Sequence, residues 1–397
     1  MHILCLAPHY PFPVQDGTQI RVDNLVRRFP AEYRTTLICF DKVDRVTEGP
    51  LPEPFRGTEI RVPRPARPTG LHASQLAQLV RRDAGMIWKF HSSEMENQVR
   101  ELSSKADAVL AIGLQMGQYL ASAKPGVPTI LDNYNVEWLI LDRMAQTRPP
   151  QKRWFWQLEA RKLRRSEGEF LRRAGRVIAI SDVDREGMAA LAPAAEIEVI
   201  PNGVNEAFFR AVGPRPSGLP PRYAFVGAMN WHVNEDAAYW MRKEIWPRII
   251  AEQPNAELYF VGREPSAEVR ALADSPEIHV TGTVPDIRPY LEECVAVVVP
   301  LRYGSGIRNK ILESFAAGRP VVSTSVGAEG LPVRDGEHLL IANTDAEFAS
   351  ACLRVIREPE LAARLVTAGL AVVAEIDLRA SAEVTRVFSQ AARSPRK

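Results

Sequence analysis

The chain has 397 residues, of which 46% are hydrophobic and 25% are charged, and its formal net charge is +2. This composition is typical of a globular protein with enough apolar material for two cores, and it excludes a disordered chain and a global attraction to nucleic acid. No apolar run approaches the roughly 18 residues that span a bilayer. The four cysteines lack metal-ligand spacing, which predicts buried thiols and a cytoplasmic protein.

The first forty residues predict the opening of a doubly wound parallel sheet. Ile3–Ala7 is an apolar run too short for a secretory leader, so we predict a strand there, a helix at Gln19–Arg28 and a second strand at Thr35–Phe40. The loop that leaves the first strand of such a sheet borders its ligand-binding edge. Asp16 and Gly17 therefore either approach a ligand or form a plain turn.

The next elements continue this pattern. Leu71–Ser104 is predicted to be helical with exposed charge, and Ala108–Ile112 and Thr129–Leu131 are predicted strands. The second of these strands runs into the polar segment Asp132–Glu137. A polar segment at the carboxyl end of a strand lies where such sheets bind ligands.

A basic segment follows at Arg148–Arg176, with ten lysines and arginines against three acidic residues and with Trp154, Phe155 and Trp156 near its start. A basic helix with an aromatic cluster is typical of segments that lie on an anionic membrane surface. The alternative is a long surface helix whose aromatic rings pack on the core. Because the rest of the chain has no matching basic excess, nucleic acid is not an expected partner.

Asp182 and Asp184 form a D-x-D pair, a pattern that can hold a divalent metal. They come after the predicted strand Val177–Ile180, with Ser181 as the cap of the following helix. Acidic residues in the first turn of a helix favour the helix dipole, so no metal site is expected there. Glu198–Ile200 is the next predicted strand.

The clearest boundary is the proline-rich stretch Pro214–Pro221, after which strands and helices alternate again. The tail after Leu340 is mainly helical. This alternation predicts parallel sheets, and therefore an α/β chain with two Rossmann-like domains. The predicted elements after the boundary are strands at Tyr223–Val226, Glu257–Val261 and Ile278–Thr281 and helices at Glu235–Glu252 and Pro285–Glu293.

The stretch Val295–Thr324 predicts a strand at Val295–Val299, a glycine loop, a helix at Ile307–Ala317 and a further strand. A glycine loop that feeds a helix N-terminus exposes backbone N–H groups and suits phosphate. Lys310 and Glu313 share one face of that helix, so a cation and a carboxylate flank the pocket. The alternative is an ordinary βαβ crossover with a solvated Lys–Glu pair.

The chain resembles the retaining family-4 glycosyltransferases with the GT-B fold, also described as glycosyl transferases group 1. The resemblance rests on the order and spacing of motifs along nearly the whole chain. These motifs are PHYPFPVQDGTQIR, VIAISDVDREGM, VIPNGV, FVGAMNWHVNEDAAYWM, VTGTVPDIRPYL and PLRYGSGIRNKILESFAAGRPVVSTSVGAEGL. It implies two Rossmann-like domains with parallel sheets facing a central cleft: residues 1–212 for the acceptor, residues 213–375 for a nucleotide-sugar, and a terminal helix at 376–397 that packs back on the first domain.

The resemblance also implies residue roles. Glu313 matches the second glutamate of the family's E-x7-E motif, which hydrogen-bonds the ribose hydroxyls. The remaining candidate donor-binding residues fall into groups by the part of the donor they would contact. Gly306, Ile307 and Arg308 are expected at the diphosphate, Gly17 over the phosphates, and Ser305 at a sugar or phosphate contact. Thr283 and Val284 are expected beside the base and Gly327 beside the sugar, and Gly227 is a further candidate. The candidate catalytic residues are Lys310, Arg302, Tyr134 and Asp132, with Asp16 and Asn202 on the acceptor side.

Three positions depart from the family pattern. The first glutamate of the motif falls on Ser305, and the usual basic pair after the first strand of the second domain is replaced by the stretch Ala228–His232. Tyr134 stands at a position where many relatives carry histidine, and tyrosine is a poor base near neutral pH. We infer that Arg302, Arg308 and Lys310 stabilise the leaving diphosphate, with Lys310 the foremost because it shares a face with Glu313, and that no metal is needed.

The predicted function is therefore a retaining glycosyltransferase that moves a sugar from a nucleoside diphosphate to an acceptor hydroxyl. The acceptor is a glycan, a lipid-linked sugar or a small molecule, and the basic segment hints at assembly of cell-surface polysaccharide or glycolipid at the inner membrane face. The alternative is a degenerate GT-B protein that binds nucleotide-sugar or a partner enzyme without turnover. A nicotinamide-dependent dehydrogenase would need G-x-G-x-x-G after a strand, which no predicted strand end provides.

Overall fold

The computed structural model describes residues 1–12, 14, 17–52, 55–65, 81–146, 149–210, 212–304 and 307–393. The chain divides into two units, Met1–Asn202 with Arg379–Lys397, and Gly203–Leu378. The predicted linker Pro214–Pro221 lies inside the second unit. None of the described helices combines the length and the apolar character that crossing a bilayer requires.

The first unit is built on an eight-stranded sheet in the order β3-β4-β2-β1-β5-β6-β7-β8. All neighbouring strands are parallel except β3 and β4. The strands are β1 (His2–Ala7), β2 (Arg34–Asp41), β3 (Thr47–Pro50), β4 (Gly57–Pro63), β5 (Ala108–Ile112), β6 (Thr129–Asp132), β7 (Arg176–Ala179) and β8 (Ile197–Val199). The central strands are apolar throughout because helices cover both faces of a parallel sheet.

The helices of the first unit are α1 (Gly17–Arg27), α2 (Gly85–Trp88), α3 (Ser93–Ser103), α4 (Glu137–Gln146), α5 (Pro150–Arg173) and α6 (Asp182–Ala189), with a 3-10 segment at Leu114–Ser122. The predicted helix Leu71–Ser104 is wrong as one element. Two short helices stand in its later part, and residues 71–80 lie outside the described residues. Ser181 caps α6 as predicted, because its side chain accepts the N–H of Asp184.

The second unit is built on a six-stranded parallel sheet in the order β11-β10-β9-β12-β13-β14. Its strands are β9 (Arg222–Val226), β10 (Glu257–Val261), β11 (Ile278–Gly282), β12 (Ala296–Val299), β13 (Val321–Ser323) and β14 (Leu340–Ile341). Strand β12 is fully buried between β9 and β13, and each of its valines contributes about 1.5–3 kcal/mol by leaving water. The predicted α/β architecture with parallel sheets is confirmed.

The helices of the second unit are α7 (Glu206–Phe209), α8 (His232–Trp240), α9 (Trp246–Glu252), α10 (Ala267–Arg270), α11 (Arg288–Glu293), α12 (Asn309–Ala316), α13 (Ser325–Ala328) and α14 (Asp345–Arg357). A last helix, α15 (Pro359–Arg393), begins in this unit and ends in the first. Its final turns place Val384 and Phe388 in the core beside β1.

Two predicted helices of the second unit are wrong in detail. The stretch Glu235–Glu252 is not one helix, because a π-helical turn at Met241–Ile245 separates α8 from α9. Pro247 has no N–H for the preceding turn, and the helix widens immediately before it. The helix predicted from Pro285 begins at Arg288, so the proline of its first turn is another one, at position 289.

Candidate functional site

Polar side chains of the second unit gather at the carboxyl ends of β9 and β12. Lys310, in the first turn of α12, points its Nζ at Asn234 of α8 and donates a hydrogen bond of 3.0 Å to the amide oxygen. The Asn234 amide nitrogen donates to the carbonyl of Ala228 over 2.9 Å, which fixes the oxygen toward the lysine. The ammonium also lies 4.4 Å from the centre of the Phe225 ring. Lys310 is therefore held in one position by α8 and β9.

The glycine after β9 makes this arrangement possible. A Cβ atom at Gly227 would lie 2.9 Å from the Lys310 Nζ and 2.8 Å from the Asn234 amide nitrogen. No side chain fits there without moving both groups. Gly227, which is predicted to bind the donor, therefore leaves the space that the Lys310 ammonium and the Asn234 amide occupy.

Lys310 and Glu313 both titrate far from their ordinary range. Burial and the nearby positive charge of Arg308 lower the pKa of Lys310 to about 7, and the negative charge of Glu313 opposes this shift. Burial raises the pKa of Glu313 to about 7, against the influence of Lys310. An anion that binds near Lys310 would restore its proton, so the pair is suited to a ligand with negative charge.

The other predicted residues of this unit lie in different surroundings. Arg302 is bound to Asp236 through two hydrogen bonds, from Nε at 2.9 Å and from Nη2 at 2.5 Å, so its charge is already compensated. Thr283 and Val284 follow β11 at the same edge of the sheet, and Ile307 is half-buried against the core.

The remaining predicted residues of this unit belong to the segment before α12 and to the turn after β13. Arg308 lies against Gly304, where a Cβ atom would be 2.4 Å from its Nη2. Ser305 and Gly306 lie outside the described residues. Gly327 donates its N–H to the Thr324 hydroxyl over 2.9 Å. The turn that carries Gly327 is therefore fixed to the end of β13.

In the first unit, one buried arginine contacts two of the predicted site residues, Asp132 and Asn202. Arg21 of α1 forms an ion pair of 2.6 Å with Asp132 at the end of β6, and both side chains are buried. The same guanidinium donates to the Asn202 side-chain oxygen over 2.8 Å and to the carbonyl of Ile200 over 3.0 Å. Desolvation raises the pKa of the Asp132 carboxyl, and Arg21 acts against this rise. Asp132 and Asn202 thus tie α1 to the ends of two strands, and their predicted roles in catalysis and acceptor binding stay predictions.

Tyr134 lies beside the start of α1. Its hydroxyl is 2.8 Å from the Thr18 hydroxyl, next to Gly17, the first residue of the helix. A Cβ atom at Gly17 would meet nothing within 4 Å, so this helix end is open. Asp16 lies outside the described residues.

A buried glutamate orders the segment between Asp132 and α4. Glu167 of α5 accepts hydrogen bonds from the Asn133 amide at 2.8 Å and from the backbone N–H groups of Glu137 and Trp138 at 3.3 and 3.0 Å. Burial raises the pKa of Glu167 to about 8.

Sequence reasoning missed the contribution of Arg21, Asn234 and Glu167 to the site. The available indications were weak ones. Asn234 is a polar residue on a helix face shared with Ala237 and Ala238, and Glu167 is an acidic residue in a basic segment. Arg21 has polar neighbours on its own helix face, so no sequence pattern indicates that it is buried. Among the described residues, no group of three or more His, Cys, Asp or Glu side chains could hold a metal ion.

Both units match known families. Residues 16–203 match the glycosyl transferase 4-like domain, and residues 220–358 match the glycosyl transferases group 1 family. The chain is 27% identical over 224 residues to the phosphatidyl-myo-inositol mannosyltransferase of Mycobacterium leprae, a match that covers 55% of this chain and 59% of that protein. In the two curated relatives that it matches, the chain spans 34% and 59% of their length.

Solved structures share the fold along nearly the whole chain. Sucrose-phosphate synthase from Thermosynechococcus elongatus superposes with a TM-score of 0.72 at 17% identity, over 98% of both chains. Anabaena HepE, solved in complex with UDP-glucose, gives a TM-score of 0.66 at 14% identity, over 98% of this chain and 100% of that one. At these identities, the likeness shows the fold alone.

Proposed function

The chain belongs to the group 1 glycosyl transferases and has their GT-B fold, and we propose that it transfers a sugar from a nucleoside diphosphate to an acceptor hydroxyl with retention of configuration. The observation that carries the proposal is Lys310, which Asn234 holds at the sheet edge and which lies one helical turn before Glu313. The UDP-glucose complex of HepE, which has the same fold, supports a nucleotide-sugar as the donor.

In this proposal, the second unit binds the donor through groups of opposite charge. Lys310 and Arg308 neutralise the diphosphate, and the backbone N–H at Ile307 adds to them. Glu313, when ionised, accepts hydrogen bonds from two vicinal ribose hydroxyls. The turn at Gly327 flanks the sugar, and Thr283 and Val284 border the base through their backbone.

The chemical step needs little from a protein base. The acceptor oxygen forms a bond to the anomeric carbon on the face that the diphosphate leaves, and the bond from that carbon to the phosphate oxygen breaks. The acceptor proton moves to the leaving phosphate oxygen. Lys310, fixed before the substrate arrives, stabilises the charge that develops there, so the proposal includes no metal.

The first unit is proposed to bind the acceptor near Tyr134, whose hydroxyl can donate a hydrogen bond to a sugar. The relative from Mycobacterium leprae is named for a phosphatidylinositol lipid, and this supports a lipid-linked acceptor in glycolipid or polysaccharide assembly. A membrane-proximal acceptor also suits the basic face of α5 and a position at the inner membrane surface.

The test is turnover with a panel of nucleotide-sugars, a lipid extract as acceptor source and EDTA throughout. We expect release of one nucleoside diphosphate, an acceptor linkage with the anomeric configuration of the donor, and a loss of about a hundredfold in Lys310→Gln. Lys243→Gln is the matched control, since Lys243 is exposed on the same unit and paired with Asp274. An inverted product would contradict retention, and nucleotide binding without any turnover would favour the degenerate binding protein.

A further inference from the structure

The acidic residues of α5 do not neutralise its outer face. Glu159 is buried and accepts the N–H of Gly85 at 2.7 Å and the Lys162 ammonium at 3.1 Å. Glu167 is fully buried beneath the start of α4. The third acid, Glu169, is paired with Arg173 at 2.9 Å. The three acidic residues of the basic segment are therefore buried or paired with a neighbouring basic residue.

The outer face of α5 holds a shallow cavity of about 380 Å³. Its lining is dominated by four arginines and is completed by a glycine and the end of α6; the residues are Arg161, Arg164, Arg165, Gly168, Arg172, Ala190 and Leu191. Within the described part of the chain, no carboxylate lies within ion-pair distance of these four guanidinium groups. Four positive charges around one cavity without a counter-charge repel one another, and an anion would relieve this repulsion.

Neighbouring groups orient the arginines without neutralising them. Arg172 donates to the carbonyl of Leu191 at 3.2 Å, and Arg165 donates to the carbonyl of Arg82 at 3.3 Å. The Arg164 guanidinium lies 5.1 Å from the centre of the Trp138 ring. Each guanidinium carries five N–H donors, so one such contact leaves donors for a ligand.

Gly168 lies on the same helix face as three of the four arginines. Positions 161, 165, 168 and 172 follow one another at spacings of four, three and four residues, so they lie on one face of the helix. A Cβ atom at Gly168 would lie 3.2 Å from the Arg172 Nη1 and 3.7 Å from the Leu191 carbonyl oxygen. The missing side chain therefore lets the Arg172 guanidinium lie close over the helix backbone, within the lining of the cavity.

We propose that this cavity binds the phosphate of anionic phospholipid headgroups and so docks the first unit on a membrane surface. The planar guanidinium of arginine donates two parallel hydrogen bonds to a pair of phosphate oxygens, whereas the ammonium of lysine acts as a single point charge. A cavity lined by arginines is therefore well suited to a phosphodiester. Trp154 lies seven residues before Arg161 on the same helix face and is 55% exposed. An exposed indole beside arginines is suited to the interface between headgroups and acyl chains. The proposal rests on the proposed function for its biological role, since it places the enzyme where a lipid-linked acceptor lies.

The test is co-sedimentation of the full-length protein with phosphatidylcholine vesicles, with and without phosphatidylglycerol, at low salt. We expect binding only with phosphatidylglycerol, and an increase of about thirtyfold in the lipid concentration for half-saturation in the double variant Arg161→Gln/Arg165→Gln. The matched control is Arg56→Gln/Arg100→Gln, which removes the same charge from exposed positions of the same unit outside the cavity. Equal binding by both double variants, or no binding by the wild type, would overturn the proposal.

Two further measurements are needed. The first distinguishes a lipid headgroup from free phosphate as the ligand, and the second distinguishes membrane binding from donor binding. Titration with inorganic phosphate in the absence of vesicles should show binding that is at least an order of magnitude weaker than to vesicles, because a bilayer presents many headgroups at once. Phosphate binding without vesicle binding would overturn the lipid as the source. Glu313→Ala, which removes a proposed donor contact on the other unit, should bind vesicles like the wild type, so failure of the donor site and failure of this site are distinguishable.

Discussion

Replacing Lys310 by methionine should raise the stability of the protein while it weakens nucleotide binding. The pKa of Lys310 falls from 10.5 to about 7, a difference that corresponds to about 5 kcal/mol at full desolvation. The side chain is only partly buried, methionine loses the hydrogen bond to Asn234, and Glu313 loses its counter-charge. After these offsets, we expect the free energy of unfolding to rise by about 1–2 kcal/mol at neutral pH.

The pH dependence of this gain follows from the sign of the shift. The pKa of Lys310 is lower in the folded state than in the unfolded state, so the unfolded chain binds more protons between about pH 7 and pH 10.5, and wild-type stability rises over this window. The gain from methionine should therefore be full near pH 7 and shrink towards pH 10. Guanidinium denaturation of wild type, Lys310→Met and the exposed control Lys243→Met at both ends of the window checks it. A destabilised Lys310→Met, or a gain that grows with pH, would refute the account of a desolvated cation.

Three further variants test single contacts. Arg21→Met leaves the Asp132 carboxylate buried without its partner and should lower the free energy of unfolding by about 3–5 kcal/mol in denaturant titrations. Gly327→Ala places a Cβ atom 2.3 Å from the Ser323 hydroxyl and should cost about 1–3 kcal/mol. Adding Ser323→Ala should recover only part of this, because the Val299 carbonyl oxygen stays 3.0 Å from the new Cβ atom. Burial raises the pKa of Glu167 to about 8, so between about pH 5 and pH 8 the folded state binds more protons than the unfolded state. The free energy of unfolding of the wild type should therefore fall over this range relative to that of Glu167→Gln, and parallel pH profiles of the two proteins would contradict this.

The parallel sheets could be predicted from the sequence because strands that are buried on both faces consist of short apolar runs. The run at β12 was identified within a residue, since both faces of that strand are covered and every residue must be apolar. Helix boundaries were less accurate. The helix α11 begins after Asp286, whose side chain accepts the N–H of Arg288 at 2.9 Å, and this local bond is not visible as periodicity.

The predicted pair Lys310 and Glu313 could be placed on one helix face because the spacing within a helix is fixed. Its environment could not be predicted, since Asn234 comes from another helix 76 positions away. The same limit hid Arg21, which reaches Asp132 across 111 positions. Which side of a helix faces inward depends on packing against distant elements, and a sequence pattern reports this only when the inward side is purely apolar.

The donor site is the central claim, and nucleotide binding tests it most directly. Isothermal titration with UDP, GDP, ADP, CDP and dTDP in EDTA should show tight binding of one nucleotide to the wild type. The affinity should weaken by about 1.5–3 kcal/mol in Glu313→Ala and remain unchanged in Glu252→Ala, an exposed glutamate of the same unit. No binding across the panel, or an affinity that Glu313→Ala leaves unchanged, would contradict the account.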